Sequence, residues 1–219
     1  MCAPFGVNLQ RGMNFRIRSG ESLILISQRL NAPYADKVEQ GGKVIIYEGH
    51  DAPRTGGIRD PKKLDQPEFH SGGRPTQNGQ FAQAAREFKS GGCPPERVRV
   101  FEKIRDGIWV YNGLFDLVDA WKETSGNRQV FKFKLQVIED RVPTEDVGDA
   151  RADHDRVIPS SVKLEVWKRD KGKCVRCGCS ENIHFDHIIP YSLGGSSKDA
   201  KNIQILCARH NLEKRDAIE

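Results

Sequence analysis

The sequence predicts an α+β protein in two units: a curved, mostly β N-terminal sheet or barrel with few helices, then a small C-terminal ββα-like unit stapled by a metal. Three observations carry this. Five segments before residue 140 read as strands and one as a helix. A polar, charged stretch at 141–157 then interrupts the apolar pattern. Four of the six cysteines fall in the last third of the chain.

The strand segments are ESLILIS, GGKVIIYEG, ERVRVFEKI, GIWVYNGLFDLVDAW and RQVFKFKLQVIE, rich in β-branched and aromatic residues and separated by Gly/Pro turns. Within the last of them, KFKLQV alternates with period two, as a half-buried strand does. The stretch NGQFAQAAREFKSGG has helical spacing and stops at Gly91-Gly92. These place an N-terminal domain at 1–140. RVPTEDVGDARADHDRV, residues 141–157, reads as a polar linker, and His154 within it as a solvated residue. Residues 158–219 form the second domain. It opens on SSVKLEVWKRD, a helix for which Ser160 or Ser161 is the expected cap and Leu164 and Trp167 lie on one face. A core this small needs a staple.

A chain of 219 residues is comfortable for two domains. Mean hydropathy is −0.61, and no run approaches the roughly 20 apolar residues of a membrane span. MCAPFGVNLQRG lacks the apolar core of a signal peptide, so a cytoplasmic protein is expected. The net charge of +5 suits a polyanionic partner without requiring one.

The staple is legible in the cysteines. Cys174-x-x-Cys177 and Cys207-x-x-His210 are two pairs whose gaps each let one turn present both side chains to one ion. Thiolate and imidazole in a closed tetrahedral set suit structural Zn²⁺. Cys179 is an alternative to Cys177. Cys2 and Cys93 stand apart and have no assigned role. Between the pairs lies HFDHIIP, in which His184, Asp186 and His187 are open to several readings: three ligands of one metal, a ligand beside a general base, or polar strand residues.

The segments CVRC, FDHIIPYSLGG, NIQILC and CARHNLEK resemble the HNH nucleases, whose catalytic unit is a ββα-metal fold, over about residues 170–215. The second zinc pair departs from the family in being Cys-His. The resemblance implies that Asp186 and Asn211 bind a catalytic divalent ion, that His187 is the general base, and that Asn202 orients it. The chemistry agrees. An imidazole with an ordinary pKa of about 6.5 can take a proton from water near neutral pH. An asparagine carbonyl can accept from one ring nitrogen and hold the other free. Oxygen ligands favour Mg²⁺ or Mn²⁺. Strict alternation puts Asp186 and His187 on opposite faces, so the strand is expected to end or twist at Asp186, leaving His184 a bystander. Lys198, Lys201, Lys214 and Arg215 are candidate phosphate contacts or solvated charges.

WVYNGLFDLVDAWKE, residues 109–123, resembles the YDG signature of SRA (SET- and RING-associated) domains, with Asn112 where that family has Asp. FGVNLQRGMNFRIR, GGKVIIYEGHD, KKLDQPEF, RPTQNGQFAQAA, ERVRVFEK and RQVFKFKL follow the family's order. The resemblance implies an SRA-like fold that binds double-stranded DNA and flips a modified cytosine, 5-methyl or 5-hydroxymethyl, into a pocket. Tyr34 and Tyr47 would sandwich the base, and Asp36 would accept from its N4 amino group. Tyr111, Asn112 and Gly113 are expected to be scaffold, and Trp109, Phe115 and Trp121 core. Arg54, Arg59 and Arg74 are candidate DNA contacts; His50 and His70 have no assigned company.

Together these imply a modification-dependent restriction endonuclease of type IV-like character, acting on double-stranded DNA that contains modified cytosine, with double-strand cleavage suggesting a homodimer or two bound molecules. The alternatives are a modification-independent HNH nickase or repair nuclease, and a non-catalytic reader.

Overall fold

The computed structural model describes residues 12–17, 20–29, 32–54, 60–105, 108–138, 157–181, 183–214 and 218. The expected linker lies outside these residues except for Val157, as do His154, Arg59 and Arg215.

Seven strands form one sheet. They are β1 (Met13–Asn14), β2 (Ser22–Ile26), β3 (Lys37–Glu39), β4 (Val44–Glu48), β5 (Glu96–Arg105), β6 (Ile108–Ser125) and β7 (Arg128–Val137). Their order is β1-β2-β5-β6-β7-β4-β3, and only β2–β5 is parallel. The ladder has edges at β1 and β3, so among the described residues the sheet is not closed into a barrel. Register shifts interrupt the pairing of β6 with β5 near Val100 and Lys103, and with β7 near Leu117. Such bulges bend a strand and increase its twist.

Helix α1 (Gln77–Lys89) is capped by Thr76, whose hydroxyl accepts from the Gly79 N–H. It buries Phe81, Ala82 and Ala85 against Ile24, Phe115, Phe133 and Leu135. The Phe81 ring meets Phe15 and Phe133 edge-on, at 5.3 and 5.9 Å between centroids. Phe115 is core as expected, whereas Trp109 and Trp121 are only partly buried.

The alternation in β7 is broken at Lys132, which is buried although its position in the pattern faces outward. Lys132 Nζ pairs with Glu48 Oε2 at 3.0 Å, both side chains being 4% exposed. Arg128 bridges Glu48 and Asp51 from the same strand, at 3.4 and 2.6 Å. Four ionised groups thus neutralise one another inside the sheet, as burial demands.

The smaller unit contains α2 (Ser160–Arg169), β8 (Ile183–His187), β9 (Ile203–Cys207) and α3 (Ala208–Lys214). Strands β8 and β9 form an antiparallel hairpin. Val162 and Val166 of α2 pack on Ile203 and Ile205, with Trp167 at the margin. Pro159 stands at the N-cap and no side chain caps the helix, so the expected capping by Ser160 or Ser161 is not found. Ser160 instead donates to Glu102 on β5. Val157, expected in a solvated linker, packs against the core of the large sheet.

Candidate functional site

Three groups of side chains carry chemistry. The first is the thiol cluster. The sulfurs of Cys174, Cys177, Cys179 and Cys207 all lie within 4.8 Å of one another. His210 Nδ1 lies 3.3 Å from both Cys174 Sγ and Cys207 Sγ. The turn after Cys174 is tight: Cys174 N–H donates to the Cys179 carbonyl and Gly178 N–H to that of Cys174. Cys207 ends β9 and His210 sits one turn into α3, so a single strand–helix junction supplies the second pair. Both expected pairs therefore converge, and Cys179 joins them as a fifth donor where a tetrahedral ion takes four. Burial opposes ionisation of the Cys174 thiol, but backbone N–H groups of Cys207 and Cys177, the His210 ring and the Arg176 N–H outweigh it and draw its pKa down to about 6. The thiolate is the form that ligates metal. Such a cluster could hold zinc.

The second group lies where β8 ends. The pairing runs unbroken through Asp186↔Gln204 and His187↔Ile203, so the strand does not stop at Asp186 as expected. Ile203 belongs to the face packed by α2, and Asp186 is reached from α3, so the two side chains leave the strand on opposite faces. His187 Nε2 lies 2.8 Å from the buried Ser197 hydroxyl. Asn202 does not bond to the His187 ring. Its Oδ1 accepts from Ile189 N–H at 2.9 Å, and its Nδ2 donates to the carbonyls of Ile189 and Ser196, both at 3.1 Å. The expected orienting contact is thus replaced by one that ties down the loop after His187. Gly195 completes that closure: a Cβ there would stand 1.8 Å from the Ile189 carbonyl oxygen.

Lys214, read from sequence as a phosphate contact or a solvated charge, is buried. Its side chain is 1% exposed, and Nζ lies 3.1 Å from Asp186 Oδ2 and donates to the His187 carbonyl at 2.7 Å. Gln204 Nε2 is 3.4 Å from the same carboxylate oxygen. Asn211 is one turn earlier on α3, partly exposed, and its side chain has no hydrogen bond among the described residues. His184 is half-buried; burial lowers its pKa against the opposing pull of Asp186. Lys198 and Lys201 are exposed.

The third group is in the N-terminal sheet. Asp36 accepts from the Ser27 and Glu48 N–H groups, at 3.1 and 3.0 Å. Burial raises its pKa to about 6; those two N–H groups oppose the shift and the Glu48 charge adds to it. Tyr47 is a core residue, 1% exposed, whose hydroxyl donates to the Gly12 carbonyl and lies 2.9 Å from His50 Nε2. Tyr34 stacks on His50 at 5.7 Å and 20°, with Lys62 Nζ 4.0 Å above its own ring. His50 therefore stands in contact with both tyrosines expected to sandwich a base. Asn78, buried at the start of α1, clamps it through both its N–H and its carbonyl, each at 2.8 Å. His50, Ser197 and the burial of Lys214 have no spacing signal in the sequence. Arg54 and Arg74 are exposed.

Residues 174–216 match the family model described as HNH endonuclease, so the second group lies within an HNH endonuclease domain. No curated protein matches the chain. Among solved structures, the SUVH5 SRA domain in complex with fully methylated CG DNA is similar at 26% identity, over 63% of this chain and 77% of that one, with a TM-score of 0.40. The same domain bound to fully hydroxymethylated CG DNA gives 25% identity over 64% and 80%, with a TM-score of 0.41. The type IV phosphorothioation-dependent restriction endonuclease ScoMcrA gives 14% identity over 99% of this chain and 53% of its own, with a TM-score of 0.42. No helix among the described residues is long and apolar enough to cross a membrane.

Two outcomes are expected. Lys214→Met leaves the Asp186 carboxylate without its buried cation, which costs roughly 3–5 kcal/mol. Millimolar Mn²⁺ or Mg²⁺ should restore more thermal stability to this variant than to the wild type, because a metal ion can take the place of the ammonium beside Asp186; equal shifts would show that no ion binds there. Metal analysis should find one zinc per chain, retained in Cys179→Ser and lost in Cys207→Ser. Loss in both would make Cys179 a ligand.

Proposed function

We infer that the chain is a modification-dependent DNA endonuclease of type IV-like character. Its N-terminal sheet takes up a modified cytosine of double-stranded DNA, and its HNH domain hydrolyses a nearby phosphodiester bond. One observation carries the cleavage half: the HNH-matched stretch forms a hairpin and helix in which an acid and a histidine end one strand and an amide stands on the adjoining helix.

His187, the last residue of the strand, takes the proton of the attacking water, for which its ring must reach past the strand end to the Asp186 side; the Ser197 hydroxyl steadies the ring. Asn202 holds the loop from Ile189 to Ser196 closed against the strand end, which fixes the backbone on which His187 is presented. Asp186 and Asn211 are the ligands for Mg²⁺ or Mn²⁺. The donor set fits a hard cation, since the Asp186 oxygen already attracts an ammonium and the Asn211 amide has no hydrogen bond among the described residues. When bound, such an ion supplies charge for the phosphate and the leaving oxygen. Cys174, Cys177, Cys207 and His210 are the zinc ligands. Because the zinc holds the strand–helix junction from which Asn211 and Lys214 project, its role is structural.

In the reader half, Asp36 accepts the N4 amino group of the flipped cytosine. A carboxylate offers about four lone-pair sites, and two of them are used by backbone N–H groups. Tyr34 supplies a stacking face, worth roughly 1–3 kcal/mol. Tyr47 supports the pocket floor through His50, and stacking on it would require that ring to move. This contact favours a second reading, a modification-independent nuclease in which His50 keeps the pocket filled.

Matched plasmids with and without 5-methylcytosine, incubated with Mg²⁺ or Mn²⁺, separate the readings. Cutting of the methylated plasmid alone is expected; equal cutting of both sinks the modification dependence. His187→Ala should lower the rate by about 10²–10⁴, and an undiminished rate removes the base assignment. Asp36 is ionised above about pH 6 and protonated below it. Affinity for methylated duplex should therefore fall as the pH drops through 6, and Asp36→Asn should abolish that dependence. A wild-type profile flat between pH 7 and 5 would remove Asp36 from the contact.

A further inference from the structure

Helix α2 has two partners. Val162 and Val166 bury against the hairpin of the nuclease domain. Its first turn, one residue after Pro159, lies instead on strand β5 of the large sheet. Lys163 Nζ is 3.1 Å from Glu102 Oε2 and donates to Asn112 Oδ1 at 2.6 Å, with both charged side chains 3% exposed. Asn112 Nδ2 donates back to Glu102 Oε2 at 3.1 Å. The Ser160 hydroxyl donates to Glu102 Oε1 and lies 2.9 Å from Gln28 Oε1. Just before the helix, Val157 fits over Gly42, where a Cβ would come within 2.4 Å of the Val157 Cβ. Gly42 also has a φ of +97°, a conformation that suits glycine.

The charges in this contact balance: one ammonium, one carboxylate, and one amide that donates to the carboxylate while accepting from the ammonium. A second carboxylate at position 112 would stand against Glu102 in a buried site. Burial lowers the Lys163 pKa against the pull of Glu102, whereas Glu102 is held below its ordinary value despite burial, by Lys163, Ser160 and Asn112. The contacts, each made to an oppositely charged or polar atom, support the ionised state. Breaking one partner of such a pair leaves an uncompensated buried charge.

We propose that Glu102, Asn112 and Lys163 form a clasp that docks α2, and the nuclease domain built on it, rigidly on the large sheet, making these three the positioning residues that set the distance from the recognised base to the cut. The cut-distance half rests on the proposed function; the docking half does not.

Two arms test it on the zinc-loaded full chain. Spin labels at Gln83→Cys and Lys201→Cys, with Cys2, Cys93 and the non-ligand Cys179 replaced by serine, report the distance between the units without DNA. End-mapping on a duplex with a single 5-methylcytosine reports the cut. The wild type should give one narrow distance distribution and one dominant cut offset. Glu102→Gln and the milder Asn112→Asp should broaden the first and spread the second, while total cutting of methylated DNA stays within a few-fold. A broad wild-type distance distribution overturns the clasp, as does an unbroadened distribution in both variants. An unchanged dominant offset in a variant whose distances have broadened overturns its role in positioning the cut. If the wild type holds one distance but cuts no methylated DNA, the proposed function fails while the docking stands.

Discussion

The convergence of Cys174, Cys177, Cys207 and His210 at one point is the constraint on which the nuclease half depends. The junction of β9 and α3 has little apolar material of its own: the local core is Cys174, Leu206 and Cys207, with Cys179 at its edge. The direction of a seven-residue helix is not set by helix propensity, because so short a helix is marginal alone. It is set at its first turn, by His210 against two sulfurs. The last turn of the same helix then delivers Lys214 to Asp186 and to the His187 carbonyl. A staple at one end of α3 thus fixes the electrostatics at the other, and a local error in the thiol turn would be felt at the strand end through one helix.

The large sheet solves a related problem with buried ion pairs. Glu48 accepts from the Ala35 N–H in the segment that carries Tyr34 and Asp36, while Lys132 and Arg128 hold it from β7. Glu48 also lies beside Asp36, and its charge adds to the burial that raises the Asp36 pKa. The cations of β7 therefore do more than satisfy a buried carboxylate. They offset negative charge beneath Asp36, and the Lys132 charge draws the Asp36 pKa down against burial.

Much of this was legible in the sequence, and the part that was not has a common cause. Cysteine and histidine pairs spaced by two residues are local, so the chain alone shows that each pair can meet one ion. Apolar periodicity is local too, and α1 and the long strands follow it. Lys132, Lys163 and Lys214 were illegible because a lysine in a polar pattern reads as solvated unless its carboxylate is known to lie opposite. Those partners, Glu48, Glu102 and Asp186, stand in other elements of the fold. Asn202 shows a finer limit: its place beside the strand end was readable, but its partners were fixed by the loop closing at Gly195. His50 is illegible in the sequence because its company comes from Asn78, Tyr34 and Tyr47, none of which forms a recognisable spacing with it.

All three lysines sit at junctions: between β7 and β4, between α2 and the large sheet, and between α3 and the strand that ends in His187. Apolar pairs could hold such junctions with equal or greater stability, since desolvation consumes much of what a buried ion pair gains. An apolar contact tolerates sliding, whereas an ammonium with two oxygen partners defines one register. Salt reinforces the distinction. Ions screen exposed charges over about 8 Å at physiological strength but reach buried pairs far less. A grip of exposed basic groups on a phosphate backbone, as the proposed function requires, would weaken steeply with salt, while the buried junctions would not. Under the proposed function, affinity and geometry would thereby be carried by separate sets of charges, and a change in ionic strength would alter how often DNA is engaged without altering where the nuclease domain sits.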